Sequence, residues 1–109
     1  MGWIGVDLDG TLAKYSEFKG DKIGDPIMPM VIRVLDWCNS GKIVKIMTAR
    51  ASVPELIQPV KDWCLEHLGR VLEVTNCKDF EMIALYDDRA IQVEHNTGRL
   101  LNKAMMCNV

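Results

Sequence analysis

The sequence predicts an α/β domain built on a parallel sheet, and three observations lead there. Short apolar runs rich in β-branched residues alternate with stretches whose apolar residues recur at helical spacing. The runs are almost continuously apolar, which suits strands covered on both faces. Gly, Pro and Asn punctuate the joints between them. Together these predict a Rossmann-like sheet with helices on both faces, formed as one domain over residues 1–109.

Trp3-Ile4-Gly5-Val6 is the first run and Ile43-Val44-Lys45-Ile46-Met47 the second. Between them Val31, Val34, Leu35 and Cys38 share a helical stripe, with Pro29 in the first turn and Asn39-Ser40-Gly41 as the stop. A second helix is expected to open on Ser52-Val53-Pro54-Glu55, which fits a capping box. It carries Leu56, Val60, Trp63 and His67 on one stripe, with a kink or fresh start at Pro59 and an end at Gly69. Val71-Leu72-Glu73-Val74 and Met82–Tyr86 are the third and fourth strands. Gln92-Val93-Glu94 and Arg99-Leu100-Leu101 flank Asn96-Thr97-Gly98, which predicts a hairpin or edge strand. Residues 102–109 carry no pattern. The stretch Thr11 to Asp25 fits neither helix nor strand. It follows the first strand at its carboxyl end, where open α/β sheets bind ligands, and is expected to form a short flap.

With 13 Lys plus Arg against 15 Asp plus Glu, the formal net charge is −2. That balance gives no long-range attraction for polyanions, so nucleic acid is a partner that charge does not support. No run is long enough to span a membrane and no leader pattern opens the chain. The four cysteines are too scattered for a C-x-x-C metal site and are expected to be reduced thiols, which implies a cytoplasmic location.

The chemistry sits after the first strand, in Asp7-Leu8-Asp9-Gly10-Thr11. Two carboxylates one residue apart at a strand end can converge on one small volume, and Gly10 lets the backbone turn close to a ligand. Their repulsion calls for a proton or a cation, and a hard divalent ion, Mg²⁺ above all, meets that need. The competing reading is an Asp-rich turn.

Asp-x-Asp-Gly-Thr-Leu after a buried strand resembles the first motif of the haloacid dehalogenase (HAD) superfamily, and three further motifs follow in the family's order. Thr48, in Met47-Thr48-Ala49-Arg50, resembles the hydroxyl that binds a phosphoryl oxygen. Lys78, in Asn76-Cys77-Lys78-Asp79, resembles the phosphoryl-binding cation. Asp87-Asp88 after Leu85-Tyr86 resembles the acidic pair of the metal site. Taken singly, Thr48 could be a helix cap, Lys78 a solvated lysine, and Asp87-Asp88 a turn.

The resemblance implies a Mg²⁺-dependent phosphohydrolase. Asp7 would be the nucleophile that becomes an aspartyl-phosphate, and Asp9 the acid that protonates the leaving oxygen and then the base for water. It places the metal with Asp7, Asp87, Asp88 and the backbone carbonyl of Asp9, and the phosphoryl group with Gly10, Thr11, Thr48, Ala49 and Lys78. Which of Asp87 and Asp88 binds the ion directly stays open. Asp at position 9 is similar to the phosphatases and phosphomutases of the superfamily. Arg50 and Arg89 are candidate substrate contacts, with a surface salt bridge as the other reading of Arg50. Asp87-Asp88-Arg89 is similar to the phosphatase domain of phage polynucleotide kinase, which supplies a 3′-phosphate on a nucleotide or nucleic-acid end as one alternative. Phosphotransfer to another acceptor and non-catalytic phosphate binding are the others. His67 and His95 are expected to be structural or exposed. No stretch is long enough for the cap domain of larger relatives, so the site should lie open to a phosphorylated substrate, with a second copy of the chain able to cover it.

Overall fold

Four of the apolar stretches become strands in a computed structural model, which describes residues 2–18 and 20–101. They are β1 (Trp3–Val6), β2 (Ile43–Met47), β3 (Glu73–Thr75) and β4 (Met82–Tyr86), all parallel in the order β3-β2-β1-β4. β1 is flanked on both sides and all four of its residues are buried, which explains its unbroken apolar run. β3 pairs from Glu73 rather than from Val71, while Leu72 is buried in the core just ahead of it.

α1 (Met28–Asn39) has Pro29 in its first turn and is followed by Gly41 at a φ of 83°. α2 (Ile57–Leu68) ends on Gly69, whose left-handed φ of 72° suits glycine. The expected capping box does not form. The Ser52 hydroxyl donates instead to the Ala49 carbonyl at 2.7 Å, and two short 3-10 turns, Ala49–Ser52 and Pro54–Leu56, lead into the helix. Pro59 then falls in the first turn of α2, where a missing N–H has no helical partner to lose, so it marks a fresh start.

The helices cover one face of the sheet. Val6, Ile46 and Val74 are in register, and Ile4 is in register with Val44, so these side chains point the same way. They join Val31 and Val34 of α1 and Val60, Trp63, Cys64 and Leu68 of α2 in a single core. Helices on both faces are therefore not what the described residues show. The reason lies between β3 and β4, where residues 76–81 hold no helix. That connection is held against the opposite face: Asp79 accepts the Trp3 indole N–H at 2.8 Å and the Glu81 carbonyl accepts the Trp3 backbone N–H at 3.0 Å. Lys45 lies over the Trp3 ring, and Ile83 of β4 stays 70% exposed despite its apolar run.

The flap leaves β1 and returns to α1 through a closed base. Ala13 bridges Pro26, the Lys14 N–H donates to the Asp25 carbonyl at 2.8 Å, and the Ile27 N–H to the Leu12 carbonyl at 2.8 Å. The Trp63 indole N–H donates to the Gly24 carbonyl at 2.9 Å and ties the flap to α2. Near the far end Val93 bridges Leu100 around a turn with Asn96 and Gly98 at positive φ, the hairpin that the sequence suggests. Cys38, Cys64 and Cys77 are free thiols, while Cys107 and the patternless residues 102–109 lie outside the described residues. Among the described residues no helix is long and apolar enough to cross a membrane.

Candidate functional site

Parallel pairing brings three carboxylates together at the carboxyl ends of two neighbouring strands. The Asp7 N–H donates to the Tyr86 carbonyl at 2.9 Å, which carries the β1–β4 pairing one residue past the strands and sets Asp7 beside Asp87. One carboxylate oxygen from each of Asp7, Asp87 and Asp88 lies within 4.8 Å of the others. Thr11 organises two of them. Its hydroxyl accepts the Asp88 N–H at 2.9 Å and lies 3.1 Å from Asp88 Oδ1 and 3.4 Å from Asp7 Oδ2, one of which takes its proton. Gly10, at a φ of 90°, passes so close that a Cβ there would sit 2.5 Å from Asp88 Oδ2.

Crowded anions raise the proton affinity of the most enclosed member. Burial pushes the Asp7 carboxyl up to about 7, helped by a hydrogen bond with Asp88 and by the charges of Asp87 and Asp88, with the Leu8 N–H pulling the other way. All three donors are hard oxygens, so the set fits a hard divalent cation such as Mg²⁺ and not a soft metal.

Asp9 does not join that cluster with its side chain. Arg50 takes both of its oxygens, Nε to Oδ2 at 2.7 Å and Nη2 to Oδ1 at 3.0 Å. The Arg50 side chain is only 4% exposed, so the surface salt bridge weighed from sequence is in fact an enclosed one. The guanidinium also donates to the flap carbonyls of Gly20 and Lys22 and lies over the Phe18 ring, 5.1 Å from its centroid.

The other expected phosphate ligands divide. Thr48 is 3% exposed at the end of β2, where its hydroxyl accepts the Arg50 N–H at 3.1 Å, so it caps the following turn while also lining the cleft with Ala49. Gly10 and Thr11 do not line it. The Gly10 N–H goes to the Ala13 carbonyl at 2.8 Å and the Thr11 N–H to the Leu8 carbonyl at 3.2 Å, so these amides close the loop rather than cradle a ligand. Lys78 is exposed on the connection before β4 and lines neither cleft beside the site. Arg89 stands at the main cleft, its N–H donating to Asp87 Oδ1 at 2.8 Å. His67 packs against Trp63 with the rings tilted, and His95 is exposed, both away from the cleft.

The main cleft, about 540 Å³, holds Asp7, Asp9, Asp87 and Asp88 together with apolar residues that the motif reading passes over: Tyr15, Phe18, Met47, Val53 and Leu56. A second hollow of about 450 Å³ runs under the flap and shares Asp9, Tyr15 and Arg50 with it. The signal for Tyr15 and Phe18 was their place in an unpatterned segment after the first strand; two exposed rings there are unusual for a loop that only connects. In comparisons with family models, with curated proteins and with solved structures, nothing matches the chain, so the reading of the site rests on its own residues.

Proposed function

We propose that this chain is a Mg²⁺-dependent phosphohydrolase of the HAD type, moving the phosphoryl group of a monoester onto Asp7 and then onto water. The observation that supports it most is the meeting of Asp7, Asp87 and Asp88 within 4.8 Å, drawn from two neighbouring strand ends 80 residues apart in sequence and set beside Asp9 and Thr48. Bound there, Mg²⁺ would offset the repulsion between carboxylates and phosphoryl oxygens. The HAD-type, Rossmann-like layout belongs to the same proposal, here with a single layer of helices.

Asp7 attacks phosphorus as the carboxylate, and the bond from phosphorus to the ester oxygen breaks as the Asp7–phosphorus bond forms. Asp9 gives its proton to the departing oxygen, then takes one from the water that attacks the same phosphorus and releases Asp7. A carboxylate whose two oxygens accept from Arg50 cannot also hand over a proton, so Asp9 must leave Arg50 before it acts. Thr48 and Ala49 line the cleft where the equatorial oxygens would lie, with Arg89 beside them. Lys78 takes part only if the connection that carries it turns inward. The flap leaves the cleft open to water, which favours hydrolysis over transfer to another acceptor. A cytoplasmic setting suits the free thiols.

The test is hydrolysis of an activated aryl phosphate with and without Mg²⁺, in wild type, Asp7→Asn and Asp9→Asn. Metal-dependent turnover lost in both variants is expected. Robust turnover by Asp7→Asn, or none by the folded wild type on a broad phosphate panel, contradicts the proposal.

A further inference from the structure

The cleft is larger and more apolar than a phosphoryl group requires. At about 540 Å³ it falls within the range that encloses a small organic ligand. Its lining is acidic and polar at Asp7, Asp87, Asp88 and Thr48 and apolar at Met47, Val53 and Leu56, and the flap brings Tyr15 and Phe18. The two rings are 41% and 58% exposed, and Val53 is 41% exposed, so this apolar surface faces solvent rather than the core. Arg50 lies over the Phe18 ring and donates to the carbonyls of Gly20 and Lys22, which gives the flap ring a defined seat beside Asp9.

We infer that this apolar part of the cleft is the leaving-group subsite, and that the preferred substrates are small phosphate monoesters whose leaving group carries a flat ring. The inference rests on the phosphohydrolase reading for the position of the phosphoryl group. An aromatic leaving group meets Tyr15 and Phe18 with its faces or edges and covers Val53 and Leu56, so the apolar area leaves water on binding. A small aliphatic leaving group would leave Tyr15 and Phe18 uncovered. Aryl phosphates and nucleotides share the ring; the difference between them lies in the polar sugar that separates ring from phosphate.

Two alkyl phosphates of similar leaving-group basicity, phenethyl phosphate and propyl phosphate, isolate the ring. Wild type is expected to favour phenethyl phosphate in kcat/KM by about tenfold or more, the value of burying one ring. Phe18→Ala and Tyr15→Ala should each reduce that ratio several-fold, Phe18→Tyr should keep it, and Phe18→Leu, which fills the same space without a flat ring, should lower it. Adenosine 5′- and 3′-monophosphates in the same assay report whether the ring is reached across a sugar. Equal rates for phenethyl and propyl phosphate in wild type, or an undiminished ratio in both alanine variants, overturn the inference. Binding separates it from the reaction. Phenethylphosphonate should bind more tightly than methylphosphonate and shift the Phe18 and Tyr15 ring resonances. Such binding without turnover of any ester removes the hydrolase and keeps the ring site; turnover with equal phosphonate affinities does the reverse.

Discussion

Arg50 holds Asp9 by both carboxylate oxygens, at 2.7 and 3.0 Å, and the same guanidinium donates to the flap carbonyls of Gly20 and Lys22. One side chain therefore couples the expected acid–base residue to the loop that walls the cleft. Arg50→Ala leaves a half-buried carboxylate without its partner and frees the Gly20 and Lys22 carbonyls, and should cost about 1–3 kcal/mol of stability. Arg50→Lys keeps the charge but not the two-pronged geometry and should fall between. Urea unfolding measures the loss, and faster proteolysis between Tyr15 and Gly24 in the alanine variant checks that the flap is released.

Asp7 carries the pH dependence. Its carboxyl is raised to about 7 in the folded chain, above the ordinary value near 3.8. The folded protein thus binds the proton more tightly than the unfolded chain, and stability present at pH 4 is lost as pH rises through 7. Asp7→Asn, which removes the charge, should raise the melting temperature of the metal-free protein at pH 8 and have little effect at pH 4. The site is half open to solvent, so the gain at pH 8 is held to about 1–2 kcal/mol. A thermal melt at the two pH values, in chelator, reads it directly.

Saturating Mg²⁺ at pH 8 should reverse the order of those two proteins. A cation that binds only the folded state stabilises it, and Asp7, Asp87 and Asp88 are the proposed ligands. Wild type is expected to gain in melting temperature with Mg²⁺, Asp7→Asn and Asp87→Asn much less. An equal gain in all three would place the ion elsewhere.

Gly10 and Thr11 shape the cluster from outside the cleft. Gly10→Ala puts a methyl group 2.5 Å from Asp88 Oδ2 on a backbone at a φ of 90°, and should cost about 1–3 kcal/mol and displace Asp88. Thr11→Val keeps the shape but leaves the Asp88 N–H without its 2.9 Å acceptor, at about 1–2 kcal/mol, and Thr11→Ser should restore it. Mg²⁺ affinity measured by calorimetry should fall in Gly10→Ala and Thr11→Val and return in Thr11→Ser.

Much of this was legible in the chain itself. β1, β2 and β4 could be read because apolar runs that lie between helical stripes have few other folds available, and the carboxylates could be read because each stands directly after such a run. The single helical layer could not, since a continuous run such as Met82–Tyr86 looks the same whether both faces are covered or, as at Ile83, one is bare. The Arg50–Asp9 pair left a trace that goes unused in a motif reading: each residue stands three places past the end of its strand, on neighbouring parallel strands. Lys78 lies outside the cleft and the Thr11 hydroxyl meets Asp7 and Asp88, because a spacing rule says which loop a residue occupies, not where its side chain points. The capping box failed because Ser52 closes the preceding 3-10 turn and Val53, which has no side-chain acceptor, holds the N-cap position.

Asp7 itself is proposed to carry the phosphoryl group, and the direct measurement is chemical trapping during turnover. Wild type and Asp9→Asn would be mixed with an aryl phosphate and Mg²⁺, quenched in acid and reduced with borohydride, which converts an acyl phosphate on aspartate to homoserine. Peptide mass spectrometry should then find homoserine at position 7, with more of it in Asp9→Asn, where hydrolysis of the intermediate is slowed. Turnover with no modification at Asp7 in either protein, or modification at another carboxylate, would contradict the account.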